Sequence, residues 1–171
     1  MENNNFEICV RGIIFQDDNI LLCHHIKDRT KTGYYFFPGG HVEFGEKAED
    51  ALARELKEEL NLSIKEISYI GSIENIFEQN KEKHHEINLV FNVMAENIKD
   101  KSQEDHIEFL FLNKEKFAVE KVLPLVLRDA VIKWQKDKKF FWLSKDETKN
   151  KERKKRKKGG RFTLEREIRH T

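Results

Sequence analysis

Residues 40–62, GHVEFGEKAEDALARELKEELNL, decide how the rest of the chain is read. Within them Ala48, Ala51, Leu52, Leu56 and Leu60 recur at spacings of three and four, which predicts an amphipathic helix over Glu46–Leu60. Gly45 is the expected N-cap, and Glu46, Glu49 and Asp50 put negative charge at the first turn, where the helix dipole favours it. Asn61 follows as the expected left-handed stop. At one residue every 100°, Glu55, Glu58 and Glu59 fall within an arc of about 100°, beside the stripe of Leu52, Leu56 and Leu60. Three carboxylates at the edge of a buried face repel one another and lose hydration, so a helix built for stability alone would avoid them. A hard divalent cation removes the objection, because oxygen ligands at i, i+3 and i+4 can converge on Mg²⁺. Taken alone, the triplet also fits a solvated acidic face.

The triplet has company. Pro38-Gly39-Gly40 lies just upstream, and glycines there let the backbone turn tightly and approach a phosphate or metal. Arg54 can reach Glu58 at i+4 and orient it. Outward from this centre, Phe6–Phe15 and Ile20–Ile26 read as two strands around the turn cluster at residues 16–19. Asp28–Gly33 reads as a polar loop and Tyr34–Phe37 as a short aromatic run. Ile64–Phe77, Glu86–Met94 and Ile107–Leu112 are further strands, and Val122–Trp134 a second amphipathic helix with Pro124 in its first turn. This order predicts an α+β fold with helices packed on a mixed sheet.

Gly40, five residues, Glu46, seven residues, then Arg54-Glu55-Leu56-Lys57-Glu58-Glu59-Leu60-Asn61-Leu62 resembles the Nudix box. Each specified position matches except Asn61, where that family has Gly; Asn is the next most tolerant residue of a left-handed backbone. Tyr35-Phe36-Phe37-Pro38 before the box, His85-Glu86-Ile87, the run from Glu108 to Leu112 and Leu123-Pro124 extend the resemblance over about residues 6–142. It implies an α/β/α sandwich in which the box forms loop-helix-loop. It further implies Mg²⁺-dependent hydrolysis, with Mn²⁺ as the alternative ion, of a diphosphate linkage in a nucleoside diphosphate derivative.

The physics agrees with that class, since a polyanion enters an acidic site only through cations that reverse the local charge. The expected metal ligands are Glu55, Glu58, Glu59 and the Gly40 carbonyl, and the same three glutamates are the expected catalytic residues. No Ser/His/Asp or Cys/His arrangement is apparent, which favours direct attack by water. Glu55, Glu59 or Glu108 would accept the water's proton. By the resemblance, Arg54 and Glu46 support these groups. Tyr35 and Phe36, with Glu108, are the expected substrate-binding residues. Substrate choice is expected in two loops, Lys27–Tyr35 and Gln79–Glu86. The rival class is a Nudix-fold protein that binds a nucleotide without cleaving it; such proteins usually lose box carboxylates, and here all are present.

Charge separates the chain into two parts. From Lys145 to Thr171 there are twelve Lys/Arg against five Asp/Glu, a net of +7, and the preceding residues carry a net of −6. The expected organisation is a domain over residues 1–144 and a basic tail over 145–171. The run Lys151–Lys158 is read as solvated, with phosphate contacts to RNA or an anionic surface as the alternative. Cys9 and Cys23 sit in apolar runs, outside any zinc-like spacing, and are expected to be buried as small hydrophobes. His24-His25 and His84-His85 are adjacent strand residues, so neither pair presents both rings to one metal. No stretch is long and apolar enough to span a membrane, and a soluble, cytoplasmic protein is expected.

Overall fold

The computed structural model describes residues 4–27, 30–31, 33–96, 98 and 102–149. The elements in chain order are β1 (Asn4–Gln16), β2 (Asn19–Lys27), β3 (Thr30–Lys31), β4 (Tyr35–Phe36), α1 (Ala48–Leu60), β5 (Ser63–Gln79) and β6 (Glu82–Glu96). They continue with β7 (Ile107–Asn113), α2 (Lys114–Val119), β8 (Val122–Leu123), α3 (Leu125–Asp137) and β9 (Phe141–Asp146). The strands form one mixed sheet in the order β8-β4-β2-β1-β6-β5-β9, with β3 and β7 also pairing β2. β1 meets β2 only near their shared turn, at Phe15–Ile20 and Gln16–Asn19, and then runs parallel to β6 over eleven residue pairs. β2 pairs instead with β7 and β4. The sheet therefore opens into two halves, and the Pro38–Val42 segment runs beside β1 in the space between them: Val10 donates to Gly40, Gly12 to Pro38 and Val42 to Ile8.

Alternation along the strands feeds two cores, as pleating requires. Val10, Ile14, Leu21 and Cys23 pack with Ala51, Leu52, Leu56 and Leu60 of α1. Ile13, Ile20 and Leu22 face the other way, against Phe117 of α2 and Leu127, Ala130, Val131 and Trp134 of α3. Each fully buried Leu is worth roughly 1.5–3 kcal/mol over leaving it in water, so the apolar stripes are sufficient reason for both helices to dock. The result is the expected α/β/α sandwich. Among the described residues no helix is long and apolar enough to cross a membrane.

Several boundaries differ from the sequence reading. α1 starts at Ala48 with Lys47 as N-cap, not at Glu46 with Gly45. The Glu46 carboxylate reaches back to the Glu43 amide and to Arg54, which holds the preceding residues out of the helix. The second helix begins at Leu125: Pro124 sits in an extended conformation ahead of it, and Val122–Leu123 pair with β4 as a strand. Within the polar loop, Thr30–Lys31 pair with β2. The expected loop Gln79–Glu86 is a hairpin whose only unpaired residues are Asn80 and Lys81, both at positive φ. β9 passes through Ser144 and pairs with β5 as far as Asp146. The Lys151–Lys158 run lies outside the described residues.

Candidate active site

Two glycines bring the turn and the helix together. Gly39 has φ +131, and a Cβ there would stand 2.1 Å from the Val10 carbonyl oxygen, so only glycine fits against β1. A Cβ on Gly40 would lie 2.3 Å from the Glu55 carboxyl carbon. The Glu55 carboxylate thus rests on bare backbone. Asn61 ends the helix at φ 50, ψ 41, as the sequence led one to expect, and the Gln103 amide donates to the Glu59 carbonyl at 2.7 Å. That bond clasps the loop before β7 onto the end of α1 and brings Glu104 near the site.

Glu59 is 8 % exposed, and its Oε2 is buried with no hydrogen-bond partner. The Gly39 amide and the charge of Arg11 favour its ionised form, but burial, then Glu55 and Glu104, outweigh them and push its pKa up to about 8. Arg54 organises the rim. Its Nε and Nη2 donate to Glu46 at 3.0 and 3.1 Å, Nη1 to Glu55 at 2.9 Å and to Glu58 at 3.4 Å, and Nη2 also to the His41 carbonyl. The hydrogen bond from Arg54 is the main reason Glu46 is held below the usual carboxylate range. Glu58 remains more than half exposed. The structure therefore brings Glu55 and Glu59 together at the glycine turn and tethers Glu58 beside them. Among the described residues no three His, Cys, Asp or Glu side chains are grouped so that they could hold a metal ion between them. The Gly40 carbonyl accepts from Val10 at 2.9 Å, so one of its lone pairs is used.

Beside this cluster lies a cavity of about 370 Å³. Tyr34, Phe36 and Phe77 supply aromatic wall, Asn75 and Glu86 come from the sheet, and Glu147 comes from the segment after β9. Arg11 belongs to both places: it lines the cavity and its charge acts on Glu59. Of the expected substrate residues, only Phe36 lines this cavity. Tyr35 faces the opposite way, packed on the α3 core with its ring 4.1 Å from that of His24. Glu108 is half-buried on β7 opposite His24, on the strand face away from Ile107 and Phe109, which pack with α1.

Arg11, Asn75 and Asn88 escaped the sequence reading, whereas Tyr34, Gln79 and Glu86, which line the cavity, fall in the two segments expected to set substrate choice. The signal of the first three is a polar residue at an inward-facing position of an otherwise apolar strand. Glu104 left no such signal, since nothing in the sequence ties its loop to α1. The histidine pairs behave as expected, each ring with its own contact: His84 stacks on Phe77, and His85 Nε2 lies 2.9 Å from Glu74 Oε1. Both cysteines are free and buried; desolvation pushes Cys9 up to about 11 and Cys23 to about 12, so neither is a thiolate nucleophile.

Known proteins resemble this chain in sequence and in fold. An ADP-ribose pyrophosphatase from Methanocaldococcus jannaschii is 35 % identical over 108 residues, 62 % of either chain. A NAD-capped RNA hydrolase, NudC, from Vibrio atlanticus is 41 % identical over 64 residues, which span 37 % of this chain and only 23 % of that one. Among solved structures, a MutT protein from Bacillus halodurans superposes with TM-score 0.64 at 15 % identity, covering 83 % of this chain and 92 % of that one. A MutT protein from Methanosarcina mazei gives 0.60 at 25 % identity, covering 80 % and 98 %. The NUDIX domain model matches residues 6–159, beyond the last described strand, and the chain belongs to the Nudix hydrolase family.

Proposed function

We propose that this protein is a Mg²⁺-dependent pyrophosphohydrolase that cleaves a diphosphate linkage in a nucleoside diphosphate derivative by attack of water. One observation carries the reading: the buried Glu59 carboxylate, with Oε2 unpartnered, stands beside Glu55 where the backbone is bare glycine. An uncompensated carboxylate in that place costs about 1–3 kcal/mol unless something cationic meets it. The donor set suits a hard ion, and Mg²⁺ keeps several waters, so one or two protein carboxylates with a third nearby suffice. Glu55, Glu58 and Glu59 would hold it. The Gly40 carbonyl, already accepting from Val10, is the weakest of the four expected ligands. When bound, the ion screens the diphosphate charge and lowers the pKa of a coordinated water.

The remaining steps belong to the chain. Arg54 fixes the Glu55 and Glu58 carboxylates, and Glu46 fixes Arg54. A carboxylate of the Glu55–Glu59 pair receives the proton of the attacking water. Glu104 is a third acid close enough to act on Glu59, and Glu108, on the far strand face, is the less favoured base. The activities named for the relatives, on ADP-ribose and on NAD-capped RNA, favour a diphosphate that joins a nucleoside to a second group.

The test is turnover of nucleotide sugars, nucleoside triphosphates, dinucleoside polyphosphates and capped RNA with Mg²⁺ or Mn²⁺, in water enriched in heavy oxygen. Label in one phosphate product is expected. No turnover on any class would favour the rival reading, a nucleotide-binding protein without activity.

A further inference from the structure

Phe6 and Ile8 continue the row of β1 that Val10 and Ile14 begin, on the face that packs against α1. They are 62 % and 42 % exposed, and with Phe44, which is fully exposed, they line one open groove of about 590 Å³. Single exposed apolar side chains are ordinary on a protein surface, but three around one concavity mark a place where something docks. The groove is also acidic. Among the described residues Glu7, Glu43 and Glu46 line it and no Lys or Arg does, although Arg54 pairs with Glu46 and His41 stands 3.6 Å from Glu7. Such a lining repels phosphate and attracts a peptide that is both basic and apolar.

The chain carries such a peptide. Lys157–Leu164, KKGGRFTL, lies outside the described residues and sets Lys157, Lys158 and Arg161 ahead of Phe162 and Leu164, two apolar residues at alternate positions. Strand register brings it within reach. Asp146, Ile76, His85 and Phe6 are successive partners across β9, β5, β6 and β1, so β9 ends level with the groove. Three strand spacings of about 4.8 Å, roughly 14 Å in all, separate the two. The links from Lys149, the last described residue, to Lys157 span up to roughly 26 Å when extended. The NUDIX domain model stops at residue 159, short of Phe162 and Leu164. We infer that the groove is the docking site of the chain's own Lys157–Leu164 segment. Phe162 and Leu164 cover Phe6, Ile8 and Phe44, and the three basic side chains face the glutamates. Docking there reaches the rim of the active site, because Phe44 lies on the loop that ends in Glu46, the residue that braces Arg54.

Disulfide trapping in the full chain tests the assignment. Cys9 and Cys23 are buried and stay silent, so cysteines placed at two surface positions report their proximity. Under mild oxidation of a dilute sample, Glu43→Cys/Thr163→Cys is expected to close an intramolecular disulfide roughly 10-fold or more faster than Lys133→Cys/Thr163→Cys, a control on the exposed face of α3. Adding Phe162→Asp and Leu164→Asp should bring the first rate down to that of the control, and raised salt should slow it as well. Equal rates in the two pairs, or a fast rate that survives both aspartates, overturns the assignment. A disulfide that forms only between chains overturns it too, giving the groove to the segment of a second copy. So does fastest closure by Glu78→Cys/Thr163→Cys, which would put the segment at the aromatic cavity. The unsubstituted chain gives an independent reading: trypsin is expected to cut after Arg153 and Arg156 before it cuts after Arg161, and uniform cutting counts against docking.

Discussion

The two helices that sandwich the sheet invite comparison. α1 and α3 are each thirteen residues long, and each stops on a non-glycine residue in the left-handed conformation, Asn61 and Lys138. Each buries a short stripe: Ala51, Leu52, Leu56 and Leu60 in one, Leu127, Ala130, Val131 and Trp134 in the other. The difference is Glu59, buried in α1 with no charged counterpart among the buried residues of α3. Docking on this sheet therefore does not require a buried acid. Glu59 is retained at a cost to stability, and a helix that bears such a cost has a use for the charge.

The largest expected effect breaks or upholds that contrast. Glu59→Gln should lower kcat by about 10²–10⁴-fold and, without metal, raise folding stability by ~1–3 kcal/mol. Mg²⁺ at many times its dissociation constant should raise the melting temperature of the unsubstituted chain and leave that of Glu59→Gln where it was. Activity assay and thermal denaturation read the two halves separately; a variant both less stable and fully active would make Glu59 an ordinary packing residue. The converse change belongs to α3. Trp134→Ala should cost about 3–5 kcal/mol of stability while the folded fraction keeps its kcat, because that ring packs in the far core. A kcat falling as far as that of Glu59→Gln would show that the cores do not divide packing from chemistry.

Gly40→Ala tests the turn that serves only the α1 side. Its methyl would meet the Glu55 carboxyl at 2.3 Å, so that side chain must move, and turnover is expected to fall about 10²-fold with much of the stability kept. Single-turnover kinetics beside chemical denaturation would show it. If rates held, the position of Glu55 would not matter.

What the sequence disclosed follows the same division. The α1 side was readable because its chemistry is local: a turn, a helix and its acids lie within 23 consecutive residues. The cavity side is assembled from β1, β5, β6, the Tyr34–Phe36 run and Glu147, which only strand register brings together. Tyr35 and Phe36 looked equivalent as aromatic neighbours, and the pleat sent them to opposite faces. The Asn80-Lys81 turn lacks the glycine that usually marks a two-residue hairpin, so the sequence pattern predicts a loop where the two strands pair continuously. β8 went unseen because two residues before a proline carry too little pattern to tell a strand from a helix start.

A smaller effect concerns the segment after β9 that delivers Glu147 to the cavity. Asp146 accepts from the Thr148 amide and hydroxyl and pairs with Lys149; these bonds, the Thr148 hydroxyl first, lower its pKa to about 2 from an ordinary 3.8. A lowered folded-state pKa stabilises above the unfolded value and loses that contribution as pH falls toward the folded one. Asp146→Asn should therefore flatten the stability curve between about pH 4 and 2, by less than about 1 kcal/mol for so superficial a group. Acid titration followed by circular dichroism would read the change, and an identical acid limb in the variant would show that Asp146 fixes nothing.

The smallest effects return to the two helix ends and separate their causes. Asn61 and Lys138 sit at φ 50 and φ 54, where glycine is relaxed and other residues are strained. Asn bears that conformation with little cost, so Asn61→Gly should stabilise by only ~0.5 kcal/mol and leave turnover unchanged. Lys138 begins with more strain, and relieving it is worth about 1 kcal/mol. Its ammonium, however, lies 4.0 Å from the centroid of the Trp134 ring, a contact worth ~0.5–1 kcal/mol that glycine deletes. Lys138→Gly should thus come out near zero, two opposed terms cancelling. In a Trp134→Phe background, where the ring attracts a cation less, the same substitution should become stabilising. Failure of that sign to appear would mean that Lys138 holds the end of α3 by some route other than the ring.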